Sequence, residues 1–136
     1  MTTLEAVAAR LLAQGVSTAT GNTSGAATWP CFVGLMPATP DQCIAVQYSG
    51  GFPQDTHAGE NMLPTFQVAI RAGAYGHSAA ETKWIAAFNA LQGSEGATAM
   101  TDFYLVEVMN SAPIVIYDEK NRPVMTLNLR AVRARQ

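Results

Sequence analysis

Thr65, Phe66, Gln67, Val68, Ala69, Ile70 and Arg71 alternate, with Phe66, Val68 and Ile70 on one side and Gln67 and Arg71 on the other. A period of two is that of a β-strand with one face on a core. The same period returns near the C-terminus. Over Val124–Val132, Met125, Leu127 and Leu129 make a dry face, and Thr126, Asn128 and Arg130 a wet one. Two further strand-like segments, Phe103–Met109 and Pro113–Tyr117, precede a turn at Asp118–Arg122. Upstream, Gln42–Tyr48 reads as a strand with Ile44, Val46 and Tyr48 pointing one way and Gln47 the other. Cys31–Met36, bounded by Pro30 and Pro37, reads as an edge strand, because proline supplies no ladder donor. Ser49, Gly50, Gly51, Phe52 and Pro53 form a turn cluster whose glycines permit positive φ, opening a loop that runs to Pro64.

Two segments change period. Thr2 and Glu5 have capping-box spacing, and Leu4, Val7, Ala8, Leu11 and Leu12 then make one helical stripe that ends before Gly15. Ser78 and Glu81 repeat the capping-box spacing, followed by Trp84, Ile85, Phe88 and Leu91, with Gly93 as the stop. The order is helix, three strands, helix, three strands. Short turns in the C-terminal half favour antiparallel pairing, so the expected fold is α+β: a single domain over residues 1–136, two helices packed on a mainly antiparallel β-sheet. Residues 16–29 are small and polar with little to bury and read as a flexible loop. Trp29 at its end suits an arm that orders against a neighbouring subunit.

Charge is scarce. Asp, Glu, Lys and Arg make up 13% of the 136 residues, where about 25% is usual. None lies between Leu11 and Pro40. Surfaces destined for subunit contacts lose charge at their centres, since burying an unpaired ion is costly. An alanine-rich composition bias is the plain alternative. The sign is uneven too: residues 121–136 hold Arg122, Arg130, Arg133 and Arg135 with no acid, while the first 120 carry ten acids and four bases. Opposed charge on different faces suits stacking of unlike surfaces, and a basic end also suits nucleic acid. No uninterrupted apolar run approaches the roughly 18 residues of a membrane span, and Met1–Glu5 lacks the basic start of a signal peptide, so a cytoplasmic origin and no membrane are expected.

Catalytic chemistry is hard to assemble from these residues. Two histidines are present, His57 beside Asp55 and His77 before a helix start. A Ser49, His57, Asp55 set can be written down, but triads are defined by geometry that spacing does not supply. Cys31, Cys43, His57 and His77 lack the pairing that aims two ligands at one ion, so neither a metal nor another cofactor is expected. Gly50 and Gly51 are followed by Phe52 and Pro53, with no phosphate-cradling lysine. The expectation is a protein without catalytic residues.

The run from Pro40 to Val46, the Ser49–Pro53 cluster and Pro64–Arg71 together resemble the phage minor capsid and tail-terminator family. The resemblance extends over most of the chain, with the long uncharged segment 16–29 as a departure. It implies a structural virion protein at the head-proximal end of the tail, assembled in the host cytoplasm: a hexameric ring that caps the tail tube, ends its polymerisation and offers the head-joining surface. The implied partners are further copies of the chain, the tail tube protein, the head–tail connector or neck protein and the tape measure protein, with DNA passing through the channel without sequence-specific binding. On that reading Trp29, Gly50, Gly51, Phe52, Pro53, Asp55 and Glu60 are candidate subunit and tube contacts. Thr126, Asn128, Arg130, Arg133 and Arg135 are candidates for a channel-facing or basic surface. The competing readings are a head-completion or neck connector protein, a small cytoplasmic hydrolase or ligand-binding domain, and nucleic-acid binding through the arginine-rich end.

Overall fold

The alternating segment 65–71 lies in the middle of a seven-stranded sheet. A computed structural model describes residues 2–20, 29–52 and 61–135. The chain runs α1 (Thr3–Ala13), β1 (Ala19–Thr20), β2 (Pro30–Val33), β3 (Cys43–Phe52), β4 (Asn61–Arg71), α2 (His77–Leu91), β5 (Phe103–Val108), β6 (Ile114–Tyr117) and β7 (Pro123–Ala134). In space the strands follow β1-β2-β3-β4-β7-β5, with β6 also on β7. Pairs from β3 onward are antiparallel, whereas β1, β2 and β3 run parallel. The α+β expectation therefore holds, with one strand more than the sequence suggested. The added β1 makes β2 an inner strand, and β2 ends at Val33 rather than Met36.

One core cluster joins both helices to one face of the sheet, through Val7 and Leu11 of α1, Trp84 and Leu91 of α2, Ile44 and Val46 of β3, Phe66, Val68 and Ile70 of β4, and Met125, Leu127 and Leu129 of β7. The period-two residues line up because cross-strand partners share a face: Val46 lies opposite Val68, which lies opposite Leu127. Three residues assigned to apolar faces are instead half in water, namely Leu12, Ile85 and Tyr48. The stripe on α1 is narrower than the spacing allows, and α2 buries Ala80, Ala87 and Ala90 beside Trp84. Small residues let α2 lie close to the sheet, so its outer isoleucine is not needed for cover.

The α1 start is the predicted capping box: the Glu5 amide donates to Thr2 Oγ1, and the Thr2 amide to Glu5 Oε2. Its end is a Schellman turn. Gly15 has φ +71°, its amide donates to the Leu12 carbonyl, and the Val16 amide donates to Leu11. For α2 the expected Ser78–Glu81 box is absent. The N-cap is Gly76 with no side-chain cap, which puts Ser78 inside the first turn. A Cβ on Gly76 would lie 2.9 Å from the Gly73 carbonyl oxygen, so the tight turn leaves room only for glycine.

The Ser49–Pro53 segment is not a simple turn. β3 continues to Phe52, opposite Leu63, with a register shift between Tyr48 and Gly50. Gly50, at φ +103°, absorbs that bulge, and β4 begins at Asn61 rather than Thr65. The expected loop therefore narrows to residues 53–60, which lie outside those described.

The other edge of β7 carries β5 and β6 end to end. Between them Asn110 substitutes for a strand: its Oδ1 accepts from the Asn128 amide at 2.8 Å, and its Nδ2 donates to the Thr126 carbonyl at 3.0 Å. Asn110→Ala would leave both groups of β7 without that partner, and should lower stability by about 1–2 kcal/mol. Equilibrium urea unfolding measures this, and Asn110→Asp, which keeps only the acceptor, should recover part of the loss.

Candidate assembly surfaces

The helix-free back of the sheet carries the predicted wet face of β7. Arg130 is exposed and forms a two-pronged pair with Glu107, which lies directly across on β5 (Nε and Nη2 to Oε2, 3.0 and 2.8 Å). Asn128 is half-buried. Thr126 is buried, contrary to the expectation of a wet position, because Ala69 and Ile114 flank it on the neighbouring strands. Arg133 leaves this group altogether. Register puts it on the helix side, 2% exposed, where its Nη1 donates to Thr3 Oγ1 and its Nη2 to Asp102, with the guanidinium 4.6 Å from the Phe103 ring centroid. Arg135 lies just past β7, exposed and engaged in a contact of its own. The five candidate residues therefore occupy two sides of the sheet. Nor is the arginine-rich end a bare cationic patch, since Arg122, Arg130 and Arg133 each meet a carboxylate.

Arg122 belongs to a strap that the sequence did not reveal. β2 and β3 are parallel neighbours, so residues 34–42 must cross from one end of the sheet to the other, and they do so without a helix. Such an extended crossing leaves carbonyls that need donors. Arg71, buried, donates to the carbonyls of Pro37, Pro40 and Asp41 at 2.7–2.8 Å. Arg122 donates to the Ala38 carbonyl, Asp41 Oδ1 and Asp118 Oδ2. Desolvation tends to raise the Asp118 carboxyl, but the Arg122 and Lys120 amides and the Arg122 guanidinium outweigh it and hold the group below its ordinary value.

Trp29 packs against the core from the base of segment 16–29. It exchanges two hydrogen bonds with Thr18: its amide donates to Thr18 Oγ1 at 2.8 Å, and its carbonyl accepts from the Thr18 amide. The Lys83 ammonium sits 5.3 Å from its ring centroid and donates to the Val16 carbonyl, and burial pulls that ammonium below its ordinary pKa. Trp29 is thus anchored within its own subunit. Gly50 and Gly51 are exposed in the bulged part of β3, and a Cβ on Gly51 would approach the Leu63 carbonyl oxygen to 3.0 Å. Phe52 closes the described part of β3. Pro53, Asp55 and Glu60 lie outside the described residues, as do His57 and most of segment 16–29.

The chemical candidates do not converge. Ser49 Oγ donates to Thr65 Oγ1, and Asp55 and His57 are outside the described residues. His77 faces Glu81 one turn along α2, at 3.6 Å. Cys31 and Cys43 are free and buried. Burial, with a smaller push from Cys43, raises the Cys31 thiol to about 12, and burial raises Cys43 against the pull of Arg71 and Arg122. Among the described residues no group of three or more His, Cys, Asp or Glu could hold a metal ion, and no helix is long and apolar enough to cross a membrane.

Sequence reading also missed the sheet edges. β5 is guarded: the Val106 amide donates to Glu95 Oε2, the Val108 amide to Gln92 Oε1, and the Gly93 amide donates to the Val106 carbonyl. Among the described residues β6 pairs with β7 alone, and Ile114, Ile116 and Tyr117 stand about half exposed or more. The one available signal was the uncharged run Ile114, Val115, Ile116, Tyr117.

The chain is similar to known proteins in sequence and in fold. The sequence profile described as bacteriophage tail terminator protein matches residues 11–135. Among solved structures, a chain of "Virion of native gene transfer agent (GTA) particle" has a similar fold, with TM-score 0.62 and 14% identity over 98% of this chain and 95% of that one. No curated protein matches the sequence significantly.

Proposed function

The chain belongs to the bacteriophage tail terminator family, and from that membership we propose that it forms a hexameric ring on the finished tail tube, stops tube growth and presents the head-joining surface. The observation that carries this reading is the match over residues 11–135, which takes in the whole sheet, α2 and the end of α1. The family is one of structural tail proteins, and the fold likeness to a virion chain accords with it.

A cap works by geometry. Head-to-tail contacts that close give a ring, and those that do not close give a filament. A terminator needs one ring face that matches the last tube layer and another that does not. The two faces of the sheet are unlike, one covered by two helices and one without a helix and polar around Arg130 and Glu107. Their charges cancel locally, so this polar part suits a channel wall past which DNA slides without being gripped. The contacts to tube and neck fall to the Trp29 region and the β3–β4 end at Gly50–Phe52. A connector role at the neck would use the same ring against a different partner.

The test is to add the purified protein to polymerising tail tube protein and measure tube length by electron microscopy, with sedimentation of each mixture. Short tubes ending in a ring-sized cap are expected. Tubes that grow to the same length with and without it, and a sedimentation coefficient that stays monomeric, would overturn the proposal.

A further inference from the structure

We propose that the open edge of β6 is the subunit–subunit contact, adding β6 to the β1 end of the sheet in the next copy of this chain. This rests on the ring reading above and names the surface that closes the ring.

Two halves of one edge differ in how they are guarded. An exposed strand edge is a template for another strand, and proteins block it with charges, bulges or covering side chains. Here Gln92, Gly93 and Glu95 block the edge of β5. The blocking stops where β6 begins. No hydrogen bond from the described residues reaches the outer side of Ile114–Tyr117, and Ile116 is 63% exposed beside it. The edge is open where it is most apolar.

Charge points the same way. From Val108 to Tyr117 the chain carries no ion, so a partner bearing a charge there would have to desolvate it against isoleucine. The far edge of the sheet among the described residues is β1, which pairs with β2 and lies in the 11–40 stretch, also free of charge. The two ends of the sheet match electrically, since pairing them buries no ion. They also differ from each other, which a ring requires. A β6–β6 contact would be two-fold and would end at a dimer, whereas β6 on β1 is head-to-tail and can close a ring.

The experiment is sedimentation, alone and with tail tube protein, of the unaltered chain, of Ile116→Lys, and of Ile85→Lys, whose isoleucine is also half exposed but lies on α2. Hydrogen exchange at the Val115 and Tyr117 amides of the unaltered assembly gives a readout that needs no variant. The expected result is loss of the ring peak in Ile116→Lys with an unchanged melting temperature, a ring in Ile85→Lys, and at least tenfold slower exchange at β6 on assembly. A ring that survives Ile116→Lys, or β6 amides that exchange alike before and after assembly, would overturn this contact and leave the ring reading standing, whereas a stable dimer as the end state would overturn both. An unaltered chain that never assembles would overturn both.

Discussion

Replacing Arg71 by methionine is expected to lower the stability of the chain by about 3–4 kcal/mol, the largest loss foreseen for any single polar side chain here. Methionine keeps the apolar stem and removes three charge-assisted hydrogen bonds to the carbonyls of Pro37, Pro40 and Asp41. Each such bond contributes on the order of 1.5–3 kcal/mol. The sum is not reached, because Ala38, Thr39 and Asp41 are exposed and water can serve some of the freed carbonyls. Thermal unfolding should show a fall of roughly 10–15 °C for a chain of this size. Arg71→Lys should recover less than half, since one ammonium cannot span carbonyls that the guanidinium reaches from two nitrogens. Arg122 holds the same strap through Ala38 and Asp41, so the double variant should cost less than the two single losses together. A loss under about 1 kcal/mol for Arg71→Met would mean that the strap keeps its path without the guanidinium.

The second large effect is expected at Arg133. Arg133→Met should cost about 2–3 kcal/mol, because the buried guanidinium ties Thr3 at the start of α1 to Asp102 and Phe103 at the start of β5. The loss falls short of the 3–5 kcal/mol or so for breaking a fully buried pair, since no buried charge is stranded. The Asp102 side chain is 43% exposed and returns to water. Asp102→Asn keeps an acceptor oxygen but removes the counter-charge of a guanidinium that is 2% exposed, so it too should cost on the order of 1–3 kcal/mol. Urea unfolding of both variants measures this, and a loss under about 0.5 kcal/mol for Asp102→Asn would mean that the buried guanidinium does not depend on the carboxylate. Both changes lie on the helix side of the sheet, away from β6, so neither should abolish ring assembly below its own melting temperature.

The two arginines also explain why the charge pattern misled in part. An excess of arginine at residues 121–136 reads as a basic surface. Arg122 and Arg133 are instead internal fasteners whose acids lie outside that window, at Asp118 and Asp41 for Arg122 and at Asp102 for Arg133. Asp102 lies 31 positions before Arg133, and Asp41 lies 81 before Arg122. A local sum of charge cannot see such partners.

What the amino-acid order determined by itself was whatever repeats within a few residues. The period of two at 65–71 and 124–132 placed the central strands and their buried faces, since alternate side chains of a strand must point to opposite sides. Thr2 and Glu5 marked the start of α1, and Gly15 its end, through hydrogen bonds that close within five residues. The Pro40–Arg71 pattern pointed to the family that the profile match then showed. Only the tertiary structure decided the parallel β1–β2–β3 edge, the strap across residues 34–42, the Asn110 splice and the unguarded β6. Each of these depends on which distant strand becomes the neighbour. Neighbours are chosen by packing of the whole core, and main-chain donors and acceptors are the same at every residue, so no local run of side chains announces where an edge will be left open.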